Sequence, residues 1–280
     1  MPIEIIPKLF RIVSCWLKYL GEMMNKIRLV VKFSTINALL LIALFLPSKF
    51  SYADSGFEGS ISPIPQALQK KMIGNTWHAG CPVGLNDLSY LKLSYWGFDN
   101  KPHQGELIIN QKLAIDTLDI FKQLYEAHFP IEKMVVPENL IGDKKFPTSI
   151  DLAFYLDNSD DTNAFSCRVD GQRPNDFSPH SLGIAIDINP YYNPAIIAPQ
   201  YMNRQQGRKY LDRKLQHMGT IAEGDFVFTT FLNHGWEWGG FFDDGVDYMH
   251  FQKVIRSYFM ADRLTYIPPL QRLQKVDSYK

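Results

Sequence analysis

From Ile184 to Asn189 the chain reads IAIDIN, branched apolar side chains alternating with small or polar ones. A period of two is the mark of a strand, and it sets Ile184, Ile186 and Ile188 on one face and Ala185, Asp187 and Asn189 on the other. A strand this apolar belongs in a core. An unpaired buried carboxylate is costly, so Asp187 must meet a partner on its own face. His180 stands just before the strand, and Pro179 and Gly183 allow the tight turn that folds its imidazole toward that face.

An imidazole and a carboxylate on one face form part of a metal site, because zinc accepts both ligand types. A third ligand is offered by His250 in the apolar run DYMHFQ, with Asp247 three residues before it. Two histidines and one aspartate leave the fourth tetrahedral position open, the arrangement of a catalytic zinc site. Asp247 is then free to act on water bound there.

The rest of the chain limits what such a site serves. Its 280 residues carry 29 Lys+Arg against 29 Asp+Glu, with no basic block, which argues against a nucleic-acid partner held through its phosphates. With 46% apolar residues it can bury one sizeable core, and no repeat or Pro/Gly/Ser-rich linker divides it. We expect a leader over residues 1–53 and one domain over 54–280. After Met23 and Met24, either of which can be the true start, come Lys26, Arg28 and Lys32, then the apolar run INALLLIALFLP, then small residues at Ser51 and Ala53. That order is the layout of a secretory signal cut after Ala53, which places the mature protein in the periplasm or outside the cell; an uncleaved anchor is the alternative reading. The apolar run falls short of the roughly 20 residues of a membrane span, so no stable span is expected after cleavage. Cys15 leaves with the leader. The mature chain keeps Cys81 and Cys167, which either pair in an oxidising compartment or stay as buried thiols.

Helices and strands are interspersed without βαβ alternation, so the expected class is α+β. SPIPQALQKKM offers a short helix within an irregular lead-in over 54–80, and LSYLKLSYWGF and GELIIN read as strands. After Asn110, a good cap, Leu113, Thr117, Ile120, Phe121 and Leu124 fall at helical spacing and Pro130 ends the run. DLAFYLDNSDDTNAFSCRV reads as strand-like ends around an Asn/Asp-rich turn, Asp225 caps FVFTTFLNH ahead of Gly235, and DYMHFQKVI reads as a strand. The long stretch between Pro190 and Thr220 is read either as a cover over the site, with arginines that meet substrate carboxylates, or as a surface excursion.

SPHSLGIAIDINP, HGWEWGGFF and DYMHF together resemble peptidase family M15, the D-alanyl-D-alanine carboxypeptidases and L-alanyl-D-glutamate peptidases. The pattern S-x-H-x-x-G-x-A-x-D, G-W-x-W-G-G, D-x-x-H-F is met at every fixed position, and NAFSCR resembles a variant of one branch in part. The resemblance runs over roughly residues 77 to 255. It implies a compact single-domain α+β fold with a central antiparallel sheet, of the Hedgehog and DD-peptidase type. It also implies Zn²⁺ on His180, Asp187 and His250, Asp247 as general base, and peptidoglycan stem peptides as substrate. Arg168 would face the scissile carbonyl, with Arg173 in DGQRP as the alternative. Trp236, Trp238 and Ser178 are expected to line the substrate site, the tryptophans as wall and core and Ser178 as a hydrogen-bonding anchor of the His180 loop. His234 is the other histidine expected near the cleft. A monomer is expected. A binding module on the same fold, without turnover, is the competing reading.

Overall fold

The alternating segments over residues 88–110 form the longest hairpin among the described residues, β2 (Leu88–Trp96) against β3 (Pro102–Asn110), in register from Leu88 opposite Asn110 to Trp96 opposite Pro102. The computed structural model describes residues 23–24, 56–170, 175–196, 205–243 and 245–253, and the leader, with the signal and anchor readings, otherwise lies outside them. The chain divides into the units Met1–Ala53 and Asp54–Lys280, and the sheets and core belong to the second. Among the described residues no helix is long and apolar enough to cross a membrane.

The class is α+β, with the antiparallel sheet split into three small ones among the described residues: β1 (Gly59–Pro63), β2 and β3 in that order; β4 (Ala185–Asp187), β8 (His250–Gln252) and β6 (Glu237–Trp238); and β5 (Ala195–Ile196) with β7 (Val246–Asp247). β1 (Gly59–Pro63) pairs along β2 inside the lead-in expected to be irregular. Its five residues are all exposed and include Gly, Ser and Pro, so no burial alternation marks this edge strand. Helix α1 (Gln66–Met72) follows, burying Leu68 and Met72. Asn110 caps a 3-10 turn by accepting from the Lys112 N–H at 3.1 Å, and α2 (Ala114–Glu126) continues from it. Thr117, Ile120, Phe121 and Leu124 face the core, as their spacing predicts.

The segment DLAFYLDN, expected to be strand-like, is instead helical: α4 (Ser149–Asn158) follows the short α3 (Pro137–Ile141). Thr148 and Asp151 form a reciprocal capping box at its start, and Leu152 and Leu156, one turn apart, pack with Ile141 in a small satellite core. The capping box and this small core decide for the helix. Near the C-terminus, Asp225 caps α5 (Phe226–Asn233) and Gly235 leaves it at φ +73°, as expected. The run DYMHFQ is two short strands, β7 (Val246–Asp247) and β8 (His250–Gln252), separated by a turn at residues 248–249.

Cys81 and Cys167 are joined, with Cα atoms 6.0 Å apart, across 86 residues of sequence. A crosslink over so long a loop restricts the unfolded chain by something on the order of 4 kcal/mol.

Asp161 is fully buried. Its Oδ1 accepts from the Val135 N–H at 3.0 Å, whereas Oδ2 has no partner among the described residues. Burial pushes this carboxyl up to about 8, the Val135 N–H and Lys133 offsetting it only in part. The folded state therefore holds the proton more tightly than the unfolded chain. Stability from this group is complete below the usual carboxylate range near 4 and is lost as pH rises from there to about 8. Asp161→Asn should flatten that fall, so that between pH 5 and 8 the wild type loses on the order of 4 kcal/mol more than the variant. Denaturant midpoints of both proteins across this range measure it, and parallel profiles would count against it.

Candidate metal centre and active site

The centre is built where β4 (Ala185–Asp187) meets β8, with Asp187 directly opposite His250 in antiparallel register. Ile184, Ile186 and Ile188 fill the core side together with Phe251. The other side, with Ala185, Asp187 and Asn189, is buried as well, and Asn163 pairs through its backbone along the second edge of β4 at Asp187.

His180 comes from a 3-10 turn, Pro179–Leu182, that precedes β4. Ser178 caps this turn, its hydroxyl accepting from the His180 N–H at 3.3 Å. Gly183 closes it in the left-handed region at φ +63°, where a Cβ would lie 2.8 Å from the Asn110 nitrogen. Its carbonyl accepts from the Asn110 N–H at 2.8 Å, docking the turn on the end of β3. Ser178 is thus a buried structural cap and not a substrate contact.

His180, Asp187 and His250 are 1%, 4% and 6% exposed. His180 Nε2 lies 3.1 Å from Asp187 Oδ2 and 3.2 Å from His250 Nδ1, and His250 Nδ1 lies 3.0 Å from Asp187 Oδ1. Burial alone would push the Asp187 carboxyl up, but the two imidazoles hold it well below the usual carboxylate range. Burial pushes the His180 ring down, Asp187 opposing, whereas Asp187 outweighs burial at His250 and raises it.

These residues fit a zinc ion. His180 Nδ1–H donates to the Ala164 carbonyl at 2.5 Å, which leaves the Nε2 lone pair facing the other two ligands. Ligand atoms about 2 Å from a tetrahedral ion stand about 3.3 Å from one another, close to the spacing found here. A second group, His78, Cys81 and Cys167, also gathers ligand atoms, but both its sulfurs are spent in the disulfide.

Asp247 Oδ1 and Arg168 Nε are both buried without a hydrogen-bond partner among the described residues. Both belong to the centre electrically, since Asp247 interacts with His250 and Asp187, and Arg168 with His180 and Asp247. Asp247 lies on β7 opposite Ala195 of β5 (Ala195–Ile196). The glycine that follows the second tryptophan of GWEWGG sets its position: a Cβ on Gly239 would lie 2.5 Å from the Asp247 carbonyl oxygen and 3.2 Å from His250 Cβ. Arg168 is clamped by Ser181, whose hydroxyl accepts from the Arg168 N–H at 2.7 Å and donates to its carbonyl at 2.6 Å. Its charge reaches Asp157 as well. Arg173 lies outside the described residues.

Asp157, at the end of α4, stands in no motif of the sequence. Its carboxyl is pushed up to about 8, first by burial and then by the charge of Asp187, with Arg168 opposing. A strand-like reading of its segment hides it, since a strand would aim this side chain differently. The helical spacing of Leu152 and Leu156 is the signal that could have found it.

Both tryptophans expected at the substrate site belong to the core instead. Trp236, 2% exposed, packs edge-on against Phe231, and Trp238, 3% exposed, donates its indole N–H to the Tyr248 carbonyl at 3.0 Å. Rings so deeply buried cannot stack on a ligand. His234 pairs with Asp116 and Asp119 of α2 and is no part of the ligand group. Of the arginines in the long stretch before Thr220, Arg213 is taken up internally, donating to Asn193, Tyr192 and Ile221 and stacking on Tyr248.

No curated protein and no solved structure gives a significant match to the chain. Residues 171–253 match the family model described as D-alanyl-D-alanine carboxypeptidase, of the M15 peptidases. The resemblance to peptidase family M15 is therefore carried by the family comparison as well as by the motifs, over the segment that holds all three candidate ligands and Asp247.

Proposed function

We propose that this protein is a zinc-dependent peptidase, exported from the cytoplasm, that hydrolyses an amide bond in peptidoglycan stem peptides. One observation carries the reading: beside a buried His–Asp–His group stand a carboxylate oxygen and a guanidinium nitrogen, both buried and both without a hydrogen-bond partner among the described residues. Leaving such groups unsatisfied is costly, and a substrate carbonyl and an attacking water would satisfy them.

Zinc held by His180, Asp187 and His250 supplies Lewis acidity, which makes water a usable nucleophile near neutral pH. Asp247 takes a proton from the attacking water at Oδ1 and returns it to the leaving amine as the C–N bond breaks. Arg168 donates to the carbonyl oxygen as negative charge grows there. The products are a free carboxylate and a free amine.

The test is mass spectrometry of purified peptidoglycan incubated with zinc-loaded protein beginning at Asp54, with chelator-treated protein as control. Loss of one D-Ala marks a carboxypeptidase, and a new N-terminal D-Glu marks an L-Ala-D-Glu endopeptidase. Chelation should abolish either product. Absence of product from folded, metal-loaded protein would overturn the peptidase reading in favour of a wall-peptide binding module.

A further inference from the structure

The β4–β8–β6 sheet carries a polar row that continues past the ligands. On β8, His250 and Gln252 share one face, because side chains alternate along a strand. Gln252 is opposite Ala185 of β4 on one side and Glu237 of β6 (Glu237–Trp238) on the other. Ala185 has no polar group to compete for the amide. Gln252 Nε2 donates to Glu237 Oε2 at 3.2 Å, and Gln252 Oε1 lies 3.2 Å from His250 Nε2.

The chemistry of these three groups fixes their direction. A carboxylate only accepts, so the amide NH₂ of Gln252 turns to Glu237 and its carbonyl oxygen turns to His250. An amide oxygen only accepts, so the facing imidazole nitrogen, Nε2, must carry a proton. A neutral ring protonated there has its lone pair on Nδ1, the atom that faces Asp187 and His180. Phe242 lies against the same ring at 5.8 Å between centroids and offers no polar group that could fix the proton elsewhere.

We infer that Gln252 and Glu237 are positioning residues that hold His250 as its Nε2–H tautomer, with Nδ1 aimed into the metal centre. The inference rests on the zinc reading of His180, Asp187 and His250. It assigns work to the variable position of G-W-x-W-G-G and to the residue two past the ligand histidine, neither of which the motif pattern names.

The test is zinc affinity by competition with a chromophoric chelator, combined with the one-bond ¹H–¹⁵N signal of the His250 ring in zinc-loaded protein. Gln252→Leu removes the acceptor and should weaken zinc binding by about 10- to 100-fold, with loss of the slowly exchanging Nε2–H signal. Exchanging the two residues, Glu237→Gln with Gln252→Glu, keeps an acceptor on His250 and a donor behind it. That double variant should recover wild-type affinity to within a few-fold and regain the signal, which a merely structural role for either side chain does not require. Equal affinity of wild type and Gln252→Leu would overturn this inference alone, as would a failed rescue in a folded double variant. A wild type that binds no zinc would overturn the zinc reading together with it.

Discussion

Asp247→Asn is expected to lower kcat by about 10²- to 10⁴-fold while zinc remains bound, which is the contribution typical of a positioned general base. Asn matches Asp in size, keeps the short β7 strand against Ala195, and retains an amide oxygen that can still accept the Met249 backbone N–H, so the change chiefly removes proton affinity. Asp247 is not one of the three gathered ligands, and its Oδ1 makes no hydrogen bond among the described residues that the substitution could break. Burial pushes this carboxyl up to about 7, His250 and Arg168 opposing and Asp187 adding to it. A base must be deprotonated, so kcat/KM should rise with pH through this range in the wild type, and that limb should vanish from the residual activity of the variant. Zinc content by elemental analysis and a pH–rate profile check both parts. Retained turnover in Asp247→Asn would remove the residue from the mechanism.

How much of this is legible in the chain depends on the kind of signal each part sends. The period-two run at Ile184 to Asn189 places Asp187 on the face away from the isoleucines, and that face is the one that meets His250. The stripe on α2 is equally plain, because a buried helix face repeats its apolar residues in sequence. β1 is not legible, since an exposed edge strand has no buried face to encode. Nor is α4, whose helix is decided by the Thr148 capping box and a small local core rather than by a long stripe. The tryptophans mislead for another reason. Motif position marks them as belonging to the site's neighbourhood, and only packing distinguishes a ring that lines a cleft from one that supports its floor. The last glycine of GWEWGG illustrates this, since a Cβ on Gly240 would lie 2.4 Å from the Trp238 ring.

Arg168→Ala is expected to lower kcat by about 10²- to 10³-fold, the cost of losing one donor to a developing oxyanion, with zinc affinity close to wild type. The residue is anchored for such a task. The disulfide at Cys167 ties the preceding residue to the loop of Cys81, and Ser181 grips the Arg168 backbone from the turn that carries His180. One element therefore fixes both the arginine and a candidate ligand. Arg168→Lys should recover little, because an ammonium is a point donor that lacks the planar fork of a guanidinium. Removing the guanidinium also has an electrostatic consequence. Arg168 opposes the upward push on Asp247 and on Asp157, so without it both carboxyls hold their protons to higher pH. The acid limb of kcat/KM should accordingly move upward in Arg168→Ala, a shift that a mere loss of packing does not produce. Arg173→Ala is the discriminating control: it should stay within a few-fold of wild type and leave the limb in place. A larger loss there than at Arg168, with an unshifted limb in Arg168→Ala, would transfer the oxyanion role to Arg173.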